Sequence, residues 1–237
     1  MSPELSIVIP AYNEEDNLGP LIREIREVMA ADTVCEIVCV DDCSSDRTRA
    51  VVEAEAALPG TPVRLVSHTE RSGQSQALVS GVRAARGEWI ATLDGDGQNP
   101  PGEIPRLYAL LRDAWAEDPA VVCVAGIRQG RHDTAWRRFS SRVANTVRMF
   151  LLQDGISDTG CGLKVFRRDA FLALPLFDHI HRFLPAMFQA AGGKVIGAEV
   201  SHRPRMAGES KYGTWDRLRV GIADLIGVSW LRRRLLK

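Results

Sequence analysis

At 237 residues, with 45% apolar and 25% charged residues and a formal net charge of zero, the chain has the composition of a globular protein with room for one large domain or two small ones. That balance excludes a charge-driven grip on nucleic acid or another polyanion, so any anion site has to come from local clustering. The five cysteines (Cys35, Cys39, Cys43, Cys123, Cys161) lack CxxC spacing, and the first four lie in or beside apolar strands. They read as small core residues of a reducing compartment, not as a disulfide framework or a zinc site. The N-terminus lacks the basic-then-apolar pattern of a signal peptide, and no run approaches the ~20 apolar residues of a membrane span, so a cytoplasmic location is expected.

In chain order, residues 5–10 form a short β-rich run ended by Pro10, a first strand. A turn at Tyr12-Asn13-Glu14 leads into an amphipathic helix with Leu18, Leu21, Ile22, Ile25 and Val28 on one face. A second strand, 36–40, stops at Asp41-Asp42, one of which is expected to cap the helix around 48–57, with Cys43-Ser44-Ser45-Asp46 supplying N-cap chemistry. Residues 63–66 are a third strand. Ser72-Gly73-Gln74 opens the next helix, small enough at Gly73 for close approach to a phosphate, and 89–93 is the fourth strand. The alternation predicts an α/β fold with a wound, mostly parallel sheet flanked by helices. Later come a strand at 121–125 with Arg128 just past it, a helix over 136–152, a helix from His181 to about Gly192, and a strand at 194–200.

The fourth strand ends in Asp94-Gly95-Asp96-Gly97-Gln98. A continuously apolar strand fits a sheet covered on both faces, and the carboxyl ends of such strands are where open α/β sheets hold ligands. Two carboxylates and an amide oxygen there make a hard-oxygen set suited to Mg²⁺ or Mn²⁺, above all a metal shared with a diphosphate. Gly95 and Gly97 let backbone approach a ligand closely. Neither GxGxxG nor a GxxxxGK[ST] loop is present, which disfavours a dehydrogenase-type or P-loop site. A base and ribose fit instead against Tyr12, Glu14 and Asp42, with the diphosphate reaching the metal at Asp94 and Asp96.

Pro10-Ala11-Tyr12-Asn13-Glu14, the run from Val40 to Asp46 and the run from Asp94 to Gln98 together resemble the family 2 inverting glycosyltransferases of GT-A fold. Within that family the chain is most similar to the dolichol-phosphate mannosyltransferase and polyprenyl-phosphate glycosyltransferase group. The second half carries this: Arg128, the stretch 136–145, Asp158-Thr159-Gly160-Cys161-Gly162-Leu163-Lys164, and the stretch 205–211. Gly97 and the wording of the Asp158 motif depart from the mannosyl enzymes and leave the sugar open. The resemblance implies that Pro10, Tyr12, Glu14, Asp42, Gly73, Asp94, Gly95, Asp96 and Gln98 bind a nucleotide-diphosphate sugar, UDP- or GDP-linked. Asp94, Asp96 and Gln98 would hold the metal. Arg128, Arg137, Ser141, Arg205 and Lys211 would gather the acceptor phosphate. Asp94, Asp96, Asp158 and Arg128 would be catalytic, with Asp158 orienting the sugar or completing the metal shell.

The implied reaction moves the sugar to a polyprenyl monophosphate with inversion. The alternatives are a soluble family 2 transferase acting on a hydroxyl of a glycan or protein, which needs a carboxylate base, and a non-catalytic nucleotide-sugar binding module. Residues 1–212 are expected to form the GT-A domain and 213–237 a basic amphipathic segment lying on the cytoplasmic face of the membrane. Leu218, Ile222, Leu225, Ile226 and Trp230 stand there among Arg217, Arg219 and Arg232 to Arg234.

Overall fold

The uninterrupted apolar runs of the first, second and fourth strands are explained by cover on both faces of the sheet. The computed structural model describes residues 2–29, 33–129, 152, 154–204 and 214–235, of which 214–220 and 222 are described as backbone only. Strands β1 (Leu5–Ala11), β2 (Cys35–Asp41), β3 (Val63–Ser67), β4 (Trp89–Thr92), β5 (Val121–Arg128), β6 (Lys164–Arg167) and β7 (Lys194–Val200) form one sheet in the order β3-β2-β1-β4-β6-β5-β7. Only β6 runs against its neighbours; the other pairings are parallel.

One face carries α1 (Glu15–Met29), α2 (Thr48–Ala56) and α4 (Ile104–Glu117), whose Leu18, Ile22, Val52 and Leu107 pack on Ile7, Ile9 and Ile37. The opposite face carries α3 (Gln74–Ala84), α5 (Arg168–Leu172), α6 (Leu184–Ala190) and the C-terminal α7 (Thr214–Arg232). There Val8, Val38 and Ile90 meet Ala77, Phe171, Phe188 and Val228. Alternate residues of each strand feed the two cores, and full burial of a Leu or Ile side chain is worth about 1.5–3 kcal/mol. The strand order reverses between β1 and β4, so the switch point where such sheets bind ligands lies at their carboxyl ends.

Most of the expected strands and helices stand within a residue or two of their predicted ends; β5 runs on to Arg128 instead of stopping at Ala125, and α6 opens at Leu184, three residues after His181. Helix α4, strand β6 and helix α5 had no counterpart among the elements expected from the sequence. Arg128 is the last residue of β5 and not beyond it. Cys43 is exposed, at φ 60, while the other four cysteines are buried, and all five are free thiols. Neither Asp41 nor Asp42 caps α2: Asp41 Oδ1 accepts the Ser44 N–H at 3.1 Å, and Asp42 bonds elsewhere. The Thr48 N–H that opens α2 is taken by Asp46 Oδ1 at 2.9 Å. The helix read over 136–152 lies outside the described residues except for Leu152, which is buried. On α7, Val228 is buried and Leu225 packs on the second core, yet Ile226 and Trp230 are 65% and 61% exposed, so apolar side chains point both toward and away from the body.

Candidate functional site

The loops after β1 and β2 are sewn together by hydrogen bonds. Asn13, at φ 53, donates its N–H to Ser44 Oγ at 2.9 Å and accepts the Ser45 N–H at 2.8 Å. The Glu14 N–H reaches Thr48 Oγ1 at 2.8 Å. Asp42, buried at the end of β2, takes the N–H groups of Ser72 and Gly73 at 2.8 Å each, and His68 Nδ1 lies 2.8 Å from the same carboxylate. The Gly73 amide is therefore already used. What Gly73 offers a ligand is space, since a Cβ there would meet nothing within 4 Å. Across this rim the Arg71 guanidinium stacks on the Tyr12 ring, 4.1 Å from its centroid.

The acidic turn after β4 is braced from three directions. Gly97 sits at φ 71, a left-handed conformation that glycine adopts freely, and Asp96 Oδ1 accepts the Gln98 N–H at 3.1 Å. Arg203, beyond β7, donates Nε to the Gly97 carbonyl and its own N–H to Gln98 O at 3.0 Å, while its guanidinium forks onto Glu24 of α1 at 2.8 and 3.1 Å. A Cβ on Gly95 would stand 3.1 Å from Pro10 O and 3.6 Å from Glu14 Cγ, which brings the β1 and β4 turns into direct contact.

Asp94 is half-buried, and Gln74 Nε2 donates to its Oδ1 at 2.8 Å. On the other side Gly162 abuts the Asp94 carboxylate so closely that a Cβ there would overlap it. Gly162 is pinned in turn by Thr92 Oγ1, which donates to its carbonyl at 2.6 Å. Burial, then the neighbouring Asp96 charge, push the Asp94 acid up to about 6, against the opposing pull of Lys164, Arg128 and the Gln74 amide. Lys164 is 3% exposed and donates Nζ to the Cys161 carbonyl, a cation buried beneath the turn.

Arg128 and Asp158, both expected to be catalytic, are bound to each other. Nε meets Oδ2 at 2.6 Å and Nη2 meets Oδ1 at 2.8 Å, a two-bond fork with each side chain 14% exposed. Gly160 lies alongside, its would-be Cβ 3.3 Å from Arg128 Nη2. Nearby, His181 Nδ1 is 2.7 Å from Ser75 Oγ, and burial holds that imidazole down to about 3, neutral at ordinary pH.

Pro10, Tyr12, Glu14, Asp42, Gly73, Asp94, Gly95, Asp96, Gln98, Arg128 and Asp158 thus all stand at the carboxyl edge of the parallel strands. Arg137, Ser141, Arg205 and Lys211 lie outside the described residues. Gln74, Gly162 and Lys164 stand within motifs named from the sequence but had no expected role at the site. Lys164 had a legible signal, a lone cation inside the apolar run from Leu163 to Phe166, while Gln74 and Gly162 stand out only through what they touch. Among the described residues no three His, Cys, Asp or Glu side chains converge on one point. The donor set expected from the sequence, the Asp94 and Asp96 carboxylates with the Gln98 amide oxygen, would suit a hard divalent ion completed by ligand oxygens, and the repulsion between Asp94 and Asp96 is of the kind a cation relieves.

The profile of Glycosyl transferase family 2 matches residues 6–174, and the chain belongs to that family. It is 37% identical over 212 residues to undecaprenyl-phosphate 4-deoxy-4-formamido-L-arabinose transferase of Edwardsiella ictaluri (strain 93-146), an alignment covering 88% of this chain and 63% of that protein. The chain therefore spans less than two thirds of that relative's length. It is 33% identical over 236 residues to dodecaprenyl-phosphate galacturonate synthase of Rhizobium johnstonii, covering 98% of this chain and 68% of that one. In three dimensions it is similar to glucosyl-3-phosphoglycerate synthase from Mycobacterium tuberculosis, solved with Mn²⁺, UDP and glucosyl-3-phosphoglycerate. The TM-score is 0.70 at 18% identity, over 99% of this chain and 81% of that one. The GT-A architecture expected from the sequence is the fold observed.

Proposed function

We propose that the chain transfers a sugar from a nucleotide-diphosphate sugar to a polyprenyl monophosphate, with inversion at the anomeric carbon. The observation that carries this reading is the braced Asp94/Asp96 turn at the sheet's switch point, packed against Pro10 and Glu14 through Gly95 and lying within electrostatic reach of Arg128 and Lys164. The two relatives at 33–37% identity, named as an undecaprenyl-phosphate sugar transferase and a dodecaprenyl-phosphate galacturonate synthase, support the acceptor class. Asp94, Asp96 and Gln98 would hold a divalent ion. When bound, Mg²⁺ or Mn²⁺ supplies Lewis-acid stabilisation to the departing diphosphate. The chain's own work is alignment: Tyr12, Glu14 and Asp42 fix the nucleoside end, and the arginines at 128, 137 and 205 with Ser141 and Lys211 bring the lipid phosphate behind the sugar C1. The phosphate oxygen forms its bond to C1 as the bond from C1 to the diphosphate breaks, so the nucleoside diphosphate leaves and the configuration inverts.

A phosphate carries its own charge and needs no base. A hydroxyl acceptor does, and Asp158 is the carboxylate that the sequence offers for that role. With both carboxylate oxygens held by the Arg128 fork, Asp158 is suited to orienting and poorly suited to taking a proton, which favours the phosphate acceptor over the glycan or protein hydroxyl. The test supplies a radiolabelled nucleotide sugar, chosen from a thermal-shift panel of UDP- and GDP-sugars with Mn²⁺, together with polyprenyl phosphate or the matching polyprenol. Label is expected in the phosphate lipid alone. Equal incorporation into both would end the phosphate reading, and incorporation into neither would end the transferase reading for these acceptors.

The division into a catalytic unit at 1–212 and a membrane-surface segment at 213–237, on the cytoplasmic face, belongs to the same proposal. Among the described residues no helix is long and apolar enough to cross a membrane. Ile226 and Trp230 stand exposed on α7 close to the exposed Arg233 and Arg234, a combination suited to an anionic lipid interface. The protein should sediment with anionic liposomes at low salt and be released at high salt, because attraction between exposed charges is screened. Deleting the residues after Gly227 should weaken that association. A protein left wholly in the supernatant at low salt would remove the membrane-surface assignment.

A further inference from the structure

The first turn of α3 is fixed from several sides. Asp42 takes the amides of Ser72 and Gly73 at 2.8 Å each, and Ser75 Oγ meets His181 Nδ1 at 2.7 Å. One and a half turns on, His68 bridges back to the same carboxylate, with Nε2 2.9 Å from Ser80 Oγ and Nδ1 2.8 Å from Asp42 Oδ1. The backbone of residue 74 is thereby held, and its side chain reaches over to donate Nε2 to Asp94 Oδ1 at 2.8 Å. Gly162 closes the opposite side of Asp94, so the Gln74 amide sets the orientation of that carboxylate. Gln74 is exposed, and other straight-chain residues propagate a helix as well as Gln. The helix itself has no need of the amide.

We propose that Gln74 is a positioning residue: through the first turn of α3 it ties Asp42, at the nucleoside end of the cleft, to Asp94, at the diphosphate end, and holds Asp94 oriented for the metal and diphosphate. This rests on the donor assignment proposed above. Asp94 and Asp96 repel each other, and a carboxylate free to turn away from its neighbour must be reordered at binding. A charge-assisted hydrogen bond from a fixed helix removes that reordering beforehand.

The test compares Gln74→Leu, Gln74→Glu and Gln74→Lys by calorimetric titration with UDP and GDP, with and without Mn²⁺, and with UMP and GMP in the absence of metal. Gln74→Leu is expected to weaken Mn²⁺-dependent diphosphate binding about tenfold, the lower end for a hydrogen bond to a charged group, with metal-free monophosphate affinity within about twofold of the parent. Gln74→Glu loses more, because a third carboxylate then faces Asp94, and Gln74→Lys recovers most of the loss by restoring a donor. Equal losses of monophosphate and diphosphate affinity, accompanied by a lower melting temperature, would mean that Gln74 merely supports α3 and would overturn the proposal. So would Gln74→Leu binding Mn²⁺ and diphosphate as the parent does. Asp96→Asn separates the two layers: if it too leaves Mn²⁺-dependent binding intact, the donor assignment has failed, whereas if it abolishes that binding and Gln74→Leu does not change it, only the positioning role has.

Discussion

Asp96→Asn is expected to lower Mn²⁺-dependent nucleotide affinity roughly a hundredfold or more, since loss even of a residue that only supports a metal ligand typically costs 10- to 100-fold. The substitution removes one negative charge and keeps the side chain's shape. The bond from the Gln98 N–H to residue 96 at 3.1 Å survives in Asn, whose Oδ1 accepts equally well. Arg203 braces the turn through the carbonyls of Gly97 and Gln98, which the change does not touch. The fold should therefore persist, with circular dichroism and melting temperature close to the parent's, while calorimetry with UDP and GDP loses its metal dependence. Unchanged nucleotide affinity in the presence of Mn²⁺ would remove the metal assignment.

The second large effect is expected at Gly162→Ala, at a position that contacts no ligand in the proposed scheme. A methyl group there would occupy the space of the Asp94 carboxylate, so either Asp94 rotates off its Gln74 bond or the backbone leading into β6 retreats. The second route is resisted by Thr92 Oγ1, which holds the Gly162 carbonyl at 2.6 Å. Both routes move Asp94, and a comparable hundredfold loss of metal-dependent binding is expected, because small misplacements near the reacting groups carry penalties of that order. Overpacking should also lower stability by about 1–3 kcal/mol, a fall of a few degrees in melting temperature. Gly160→Ala is the control: its Cβ would stand 3.3 Å from Arg128 Nη2 and 3.6 Å from Asp158 Oδ1, distances a small side-chain shift relieves. If Gly162→Ala binds Mn²⁺ and nucleotide as tightly as Gly160→Ala does, Asp94 does not belong to the diphosphate end.

Why the acidic turn was legible in the sequence, and its wall was not, follows from the physics of each. The run from Trp89 to Leu93 is continuously apolar and stops at two carboxylates, so strand, end and chemistry are written in consecutive residues. Asp42 was located correctly, but its partners were not: the amides it binds belong to Ser72 and Gly73, thirty residues away, and no local pattern announces a carboxylate that holds the start of another helix. The four residues of β6 escaped because Lys164 and Arg167 give no strand-like alternation. Their burial comes from cross-strand pairing with Thr92 and Trp89 and from Val165 and Phe166 filling opposite cores. The Arg128–Asp158 pair was read as two separate roles because the residues are 30 apart in sequence and meet only through the β5–β6 pairing.

The reversed central strand also bears on how the chain assembles. β1 to β4 are complete by residue 92 and form a four-stranded parallel unit, yet one edge of β4 stays open until residues 164–167 have been made and can turn back beside it. Over that interval of synthesis a nascent chain that pairs β1 to β4 carries an apolar strand with unpaired amides and carbonyls, the kind of edge that recruits other chains. The docking of β6 both seals that edge and sets Gly162 against Asp94, so in a chain that folds as it is made, cover for the open strand and completion of the acidic turn's wall come from the same step.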